Sequence, residues 1–281
     1  MLVCLLLVFC TVLEFCVQAS PPKWIMNADE ITEEWLITTG ADTGYTEHIR
    51  HFKKIFSSMK VRTFLEFGVG FSTKYFLDHS DKVISVEIVT PGTGPEWFKY
   101  CIDLFRNCST WIPMAYFTGN GLDTSWAPNK YMGTESVYQA CAYQPAYYKS
   151  YALIDPSFLV DLENFVKQQV ADNTIDIAFV DAGVCIRGDL VQVLFHHVPI
   201  IAAHDVGPRE LRHLNDVYGY GRIRIPENYE EIYVAEGMGT AFWVKKEEKY
   251  QAIAKVLKAY AEVMLEVKLK RERLQNLNQN N

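Results

Sequence analysis

The chain has 281 residues, of which 49% are hydrophobic and 22% charged, a balance that fills a sizeable core and excludes wholesale disorder. A formal net charge of −7 argues against a nucleic-acid partner held mainly through its phosphates, since such binders cluster Lys and Arg. The length suits one α/β domain with an insertion and a terminal helix.

Residues 1–19 carry an apolar run, Leu2 to Leu13, followed by Val17-Gln18-Ala19, a small-residue site of the kind signal peptidase cuts. The stretch reads as a secretory leader. Glu14 and the short length argue against a membrane-spanning helix, and no Lys or Arg precedes Lys23, so a start at Met26 is a second reading. Export follows from the first reading and a cytoplasmic location from the second. Membrane association would come only through residues 1–19, if they are retained.

Residues 27–60 read as an N-terminal helical segment that includes T-T-G-A-D-T-G-Y, Thr38 to Tyr45, either a capped loop or a cover for a ligand. From 61 to 246 the pattern is strand, turn, helix, repeated. The runs 61–67, 82–89, 111–117, 175–181 and 199–205 are short, apolar and rich in β-branched and aromatic residues, as strands buried on both faces are. Helices are predicted over Ser72–His79, Pro95–Asn107, Pro156–Ala171 and Gly188–His197. Such alternation predicts a doubly wound, mostly parallel α/β sheet with right-handed crossovers.

Residues 120–155 interrupt the alternation with an insertion bearing Trp126, Tyr131, Tyr138, Tyr143, Tyr147, Tyr148 and Tyr151, either a substrate wall or a small packed subdomain. Glu230 to Lys245 reads as an antiparallel hairpin through Glu236-Gly237-Met238-Gly239. A C-terminal helix is predicted over 247–275, with Ile253, Val256, Leu257, Tyr260, Val263, Met264 and Val267 facing inward, followed by a disordered tail at 276–281. Outside the leader lie Cys101, Cys108, Cys141 and Cys185, with no metal-knuckle spacing. On one helix Cys101 and Cys108 would stand about 10 Å apart, beyond disulfide reach.

The end of the first strand reads F-L-E-F-G-V-G-F-S-T, Phe64 to Thr73. A glycine turn there lets a ligand approach the backbone while the next helix offers its free N–H groups. Glu87, at the end of the second strand, can accept both ribose hydroxyls of an adenosine. A dinucleotide fingerprint wants a third glycine where Thr73 stands, and a carboxylate at Glu66 would repel a pyrophosphate, so a cationic cofactor suits the loop better.

Glu66-Phe67-Gly68-Val69-Gly70 resembles the first motif of the class I S-adenosylmethionine-dependent methyltransferases. Gly70-Phe71-Ser72-Thr73, Ser85-Val86-Glu87 and Glu96-Trp97-Phe98 extend that resemblance in order, over roughly residues 61–245. The resemblance implies a Rossmann-like domain in which Glu66, Gly68, Gly70 and Ser72 line the methionine part of S-adenosylmethionine and Glu87 holds its ribose. Asn120 would sit beside the adenine, and Asp181 next to the sulfonium and amino group. The extra loop from Val89 to Gly94 and the insertion after Asn120 depart from the family's pattern.

Asp181, His204 and Asp205 fall at carboxyl ends of adjacent strands, where open α/β sheets bind ligands, and a His beside a carboxylate is a candidate general base. Asp181 and Asp205 also resemble the two aspartates that bind Mg²⁺ in catechol-type O-methyltransferases, although Val206 stands where that group has Asn. A buried structural histidine is the competing reading of His204. Arg187 would reach an acidic substrate or pair with Asp189 or a neighbour, and His196-His197 reads as an exposed pair closing a helix. Together these readings predict S-adenosylmethionine-dependent methyl transfer to an oxygen of a small molecule or saccharide. The alternatives are a non-catalytic protein binding a partner through its insertion and C-terminal helix, and an NAD-dependent oxidoreductase, which Glu66 and Thr73 disfavour.

Overall fold

Short runs that are apolar on both faces become the centre of the sheet. In the computed structural model, which describes residues 28–42, 44, 46–89, 95–118, 121–133, 156–182, 186–212 and 218–279, the strands are β1 Val61–Phe67, β2 Ser80–Val89, β3 Trp111–Phe117, β4 Lys130–Met132, β5 Ile177–Val180, β6 Ile200–His204, β7 Tyr229–Val234 and β8 Thr240–Lys245. Every residue of β5 and β6 is buried. The eight strands form one sheet in the order β4-β3-β2-β1-β5-β6-β8-β7. The first six are parallel to their neighbours, and β8 runs antiparallel to both β6 and β7.

The helices are α1 Ile49–Phe56, α2 Thr73–His79, α3 Glu96–Leu104, α4 Pro156–Asp172, α5 Arg187–Leu194 and α6 Gln251–Gln279. On one face of the sheet α1, α2, α3 and α6 bring Phe52, Phe76, Phe98 and Leu257 against a core containing Phe64, Phe179 and Phe242. On the other, α4 and α5 contribute Phe165 and Leu190 to a core with Leu65, Phe67 and Trp243. This is the three-layer, doubly wound arrangement that the alternation predicts, with its C-terminal antiparallel pair. Ahead of α1, helical turns over Glu33–Trp35 and Leu36–Gly40 start at Thr32, whose Oγ1 accepts from the Trp35 N–H at 3.1 Å. Thr46 and Arg50 then tie the carbonyls of Leu36 and Ile37 down onto the body of the domain.

Some boundaries differ from the predicted ones. The edge strand β4 was not predicted, because three residues with both ends exposed carry no readable periodicity. Helix α3 ends at Leu104, so Cys108 lies beyond it; both Cys101 and Cys108 are free thiols. Helix α6 continues to Gln279 instead of stopping at 275, since extending an already nucleated helix costs little. Its packed stripe is Ile253, Ala254 and Leu257 with Tyr260, Ala261 and Met264, whereas Val256 and Val263 face solvent. No helix among the described residues is long and apolar enough to cross a membrane. Residues 1–19, most of the 89–94 loop, Asn120, residues 134–155, Cys141 and Cys185 lie outside the described residues. Of the insertion's aromatics, Trp126 packs edge-on against Phe98 and Phe117, and Tyr131 stacks on Tyr116.

Candidate functional site at the carboxyl ends of the strands

Strand β1 delivers Glu66 and then turns through Gly68, whose φ of 95° favours glycine. A Cβ at Gly68 would meet the Asp181 carbonyl oxygen at 2.4 Å, so the turns after β1 and β5 lie against each other. At Gly70 a Cβ would meet nothing within 4 Å among the described residues, which leave that side of the loop open. Thr73 pins the loop from below: its Oγ1 accepts from the Gly70 N–H at 3.0 Å and donates to Glu66 Oε1 at 2.7 Å. The same Glu66 oxygen accepts from Ser85 Oγ at 2.5 Å, and Ser85 accepts in turn from Trp111 Nε1 at 2.6 Å.

Glu66 is therefore placed differently from the sequence expectation. It is wholly buried beneath the loop, not lining the open side. Burial pushes its pKa up to about 8, against the opposing hydrogen bonds from Ser85 and Thr73, so the carboxyl is mostly neutral at neutral pH and adds little repulsion toward an anion. Its Oε2 has no hydrogen-bond partner among the described residues. Ser72 precedes α2 and is buried, with no side-chain cap bond. Glu87 stays half-buried at the end of β2, where its Oε2 faces the Val69 N–H at 3.4 Å, and burial raises its pKa to about 7. Trp97 donates to the Val69 carbonyl at 2.7 Å, and Phe71 is held edge-on between Trp35 and Trp97.

The second half of the site is ionic. Arg187 is buried at the start of α5, and its Nη1 lies 2.9 Å from both Asp181 Oδ1 and Asp205 Oδ2. Its Nε donates to the Ala182 carbonyl at 2.5 Å, and its guanidinium lies 4.0 Å from the centre of the Tyr218 ring. Asp189 pairs with Arg222 instead, at 2.8 Å. Of the two roles open to Arg187, the geometry assigns the pairing one. Asp205 takes a left-handed φ of 57°, rare for a residue with a side chain, and this directs its carboxylate back toward Arg187 and His204.

His204 is enclosed by carboxylates. Its Nδ1 lies 3.5 Å from Asp181 Oδ1 and 3.5 Å from Asp205 Oδ1, while Nε2 donates to Glu47 Oε1 at 3.0 Å. Burial would lower its pKa, but Asp181, Glu47 and Asp205 outweigh burial and raise it to about 10. An imidazolium has no lone pair to take a substrate proton, so a general-base role for His204 requires that it first give up the proton it shares with these carboxylates. Burial likewise works against the Asp181 carboxylate, but Arg187 and His204 hold its pKa well below the usual range.

Neither Glu47 nor His48 was singled out from the sequence, where both fall within the helical segment read over residues 27–60. Both are buried. The His48 ring sits 4.9 Å from that of His204 and 4.7 Å from that of Phe179, and neither of its nitrogens has a hydrogen-bond partner among the described residues. Burial keeps it neutral. His197, by contrast, lies beyond the C-terminal end of α5, 3.8 Å from Glu163, and takes no part in this site.

The aspartate pair does not fit Mg²⁺. That ion needs an octahedral shell of oxygens, whereas here a guanidinium already bridges Asp181 and Asp205 and the next side chain, Val206, is apolar and buried.

A parallel β3-β2-β1-β5-β6 core closed by the antiparallel β8-β7 pair is the class I methyltransferase-like fold, with the glycine loop and the ionic cluster side by side at its carboxyl ends. No protein-family model matches the chain, and no curated protein matches it. Solved structures similar to it include one from Staphylococcus aureus described as a caffeoyl-CoA O-methyltransferase, with 14% identity, 76% of this chain and 92% of that one covered, and a TM-score of 0.45. Others are the SAH-bound methyltransferase of Podospora anserina (13% identity, 85% and 96% covered, TM-score 0.43) and a methyltransferase of Geobacter sulfurreducens (12%, 70% and 76%, TM-score 0.39).

Proposed function

We propose that the chain is an S-adenosylmethionine-dependent methyltransferase whose acceptor is an oxygen of a small molecule or saccharide. The observation that carries this reading is the glycine loop, open on its Gly70 side and locked from below through Thr73. A third glycine would let a pyrophosphate settle close to the helix; a buried threonine there fixes the loop at one height and leaves room beside Gly70. Gly68, Gly70 and Ser72 would follow the methionine part of the cofactor, Glu87 would accept from the ribose hydroxyls, and Asp181 would face the amino group. The cofactor supplies an electrophilic methyl group on a positively charged sulfur. The residues of this chain then have to align an acceptor in line with it, a role that suits the Asp181 and Asp205 carboxylates, held in place by Arg187 and His204.

Calorimetric titration with S-adenosylmethionine, and separately with NAD, tests the proposal. Saturable heat with the first and none with the second is the expected result; no heat with S-adenosylmethionine sinks it. A second reading, partner binding without catalysis, draws on the exposed Leu265, Leu269, Leu274 and Leu277 along α6, and would be favoured if neither cofactor bound.

A further inference from the structure

Beside the ionic cluster one buried side chain, His48, is without an assigned role. His48, Asp181 and His204 each offer a ligand atom, and these atoms all lie within 4.8 Å of one another. Ligands of a tetrahedral first-row metal stand about 3.4 Å apart at bonds of about 2.1 Å, so side-chain adjustments of an ångström or so would close the set. His48 is fully buried, and neither ring nitrogen has a hydrogen-bond partner among the described residues, a costly state for an imidazole unless something takes its lone pair. The surrounding groups are arranged as supports. Glu47 receives the Nε2–H of His204, so the proton that a metal would displace is the one on Nδ1, which faces Asp181, and Arg187 holds the Asp181 carboxylate. A carboxylate behind a ligating histidine is the usual outer partner of a metal site. Once the Nδ1 proton of His204 is displaced, Glu47, Asp181 and Asp205 set three carboxylates against the Arg187 guanidinium, an imbalance that a dication offsets.

We propose that His48, Asp181 and His204 bind a divalent first-row transition metal such as Zn²⁺, with its remaining positions directed at the crevice. Two imidazoles and one carboxylate suit zinc, iron or cobalt and not an oxygen-seeking ion such as Mg²⁺. His48 and His204 are buried, whereas the Asp181 side chain remains 24% exposed, so the open side of the metal faces the strand ends. An oxygen donor of a small molecule would bind there. That last role rests on the methyl-transfer reading; the metal site itself does not.

The test is a titration of the full chain, stripped with a chelator, with Co²⁺ as the probe, followed by visible absorption and displaced by Zn²⁺. One equivalent of Co²⁺ with low-symmetry absorption bands is expected. Loss of about a hundredfold or more in affinity is expected for His48→Phe, and about ten- to a hundredfold for the isosteric Glu47→Gln. No saturable Co²⁺ binding by the wild-type chain overturns the inference, and shows a cluster closed by an imidazolium alone. Binding that Glu47→Gln and a folded His48→Phe leave unchanged also overturns it, by placing the metal elsewhere. Running the S-adenosylmethionine titration on the same sample separates the two proposals. Cofactor heat without Co²⁺ binding refutes only the metal site, and Co²⁺ binding without cofactor heat refutes only the methyl-transfer reading.

Discussion

Glu66→Gln isolates the buried acid beneath the glycine loop. The wild-type carboxyl has its pKa raised from 4.5 to about 8, chiefly by burial, so the folded state binds this proton more tightly than the unfolded chain does. The associated stability is fully present below pH 4.5 and is lost as pH rises toward about 8. At about 1.4 kcal/mol per pH unit, that interval corresponds to a loss on the order of 5 kcal/mol. Glutamine keeps an oxygen to accept from Thr73 and Ser85 and never ionises. The variant should therefore gain on the wild type steadily across this window. Glu87, raised to about 7 by burial, titrates in both proteins, so most of its contribution drops out of the difference. Urea denaturation of both at half-unit steps from pH 5 to 9 measures it; midpoints that run parallel across the whole range would refute the assignment of Glu66 as a buried neutral acid.

The two loop glycines should respond in opposite ways. Gly68→Ala, with its Cβ 2.4 Å from the Asp181 carbonyl at a positive φ, is expected to cost roughly 2 kcal/mol or more of stability in denaturant titrations. Gly70→Val, pointing into open space, should keep the wild-type melting temperature within a few degrees while S-adenosylmethionine heat falls at least about tenfold in affinity, consistent with a side chain occupying ligand space. Arg187→Met leaves Asp181 and Asp205 without their shared cation and is expected to cost about 3–5 kcal/mol in urea denaturation, most of it recovered when Asp205→Asn is added. Burial works against the Glu236 carboxylate, but His51 and Arg50 hold its pKa down at about 2; its stabilising contribution is present above pH 4.5 and is lost as pH falls through 2, so Glu236→Gln should flatten the acid limb of the melting-temperature profile.

The sheet was legible because its central strands are apolar on both faces, a pattern that nothing except packing between two helical layers explains. The hairpin was legible from Gly237 and Gly239, both of which take positive φ in the turn. Short range fails where the determinant is a neighbour distant in sequence. Glu66 reads as a surface charge beside a ligand until Ser85 and Thr73 are seen to close over it. His48 is 156 positions from His204 in the chain, and only the packing of the α1 entrance across the ends of β5 and β6 brings the two rings together. Arg187 looked as available to a substrate as to a partner, because nothing local records that Asp205 turns back toward it through a left-handed φ.

That left-handed aspartate bears on what the cluster is for. Burying Arg187, His204 and Glu47 with two aspartates removes several charges from water, and such sets seldom stabilise a fold more than apolar side chains of the same volume would. Asp205 adds a backbone cost on the order of 1 kcal/mol. That expense falls at the rim of the strands, next to the open side of Gly70 and the half-buried Glu87; in the core around Trp243 the buried charges are one carboxylate against one guanidinium, Glu231 with Arg212. Strain and buried charge that concentrate beside an open crevice, and are braced there by residues from four separate places in the chain, are what a preorganised site requires: carboxylates held at fixed positions before the ligand arrives, so that no reorganisation is left to oppose its binding.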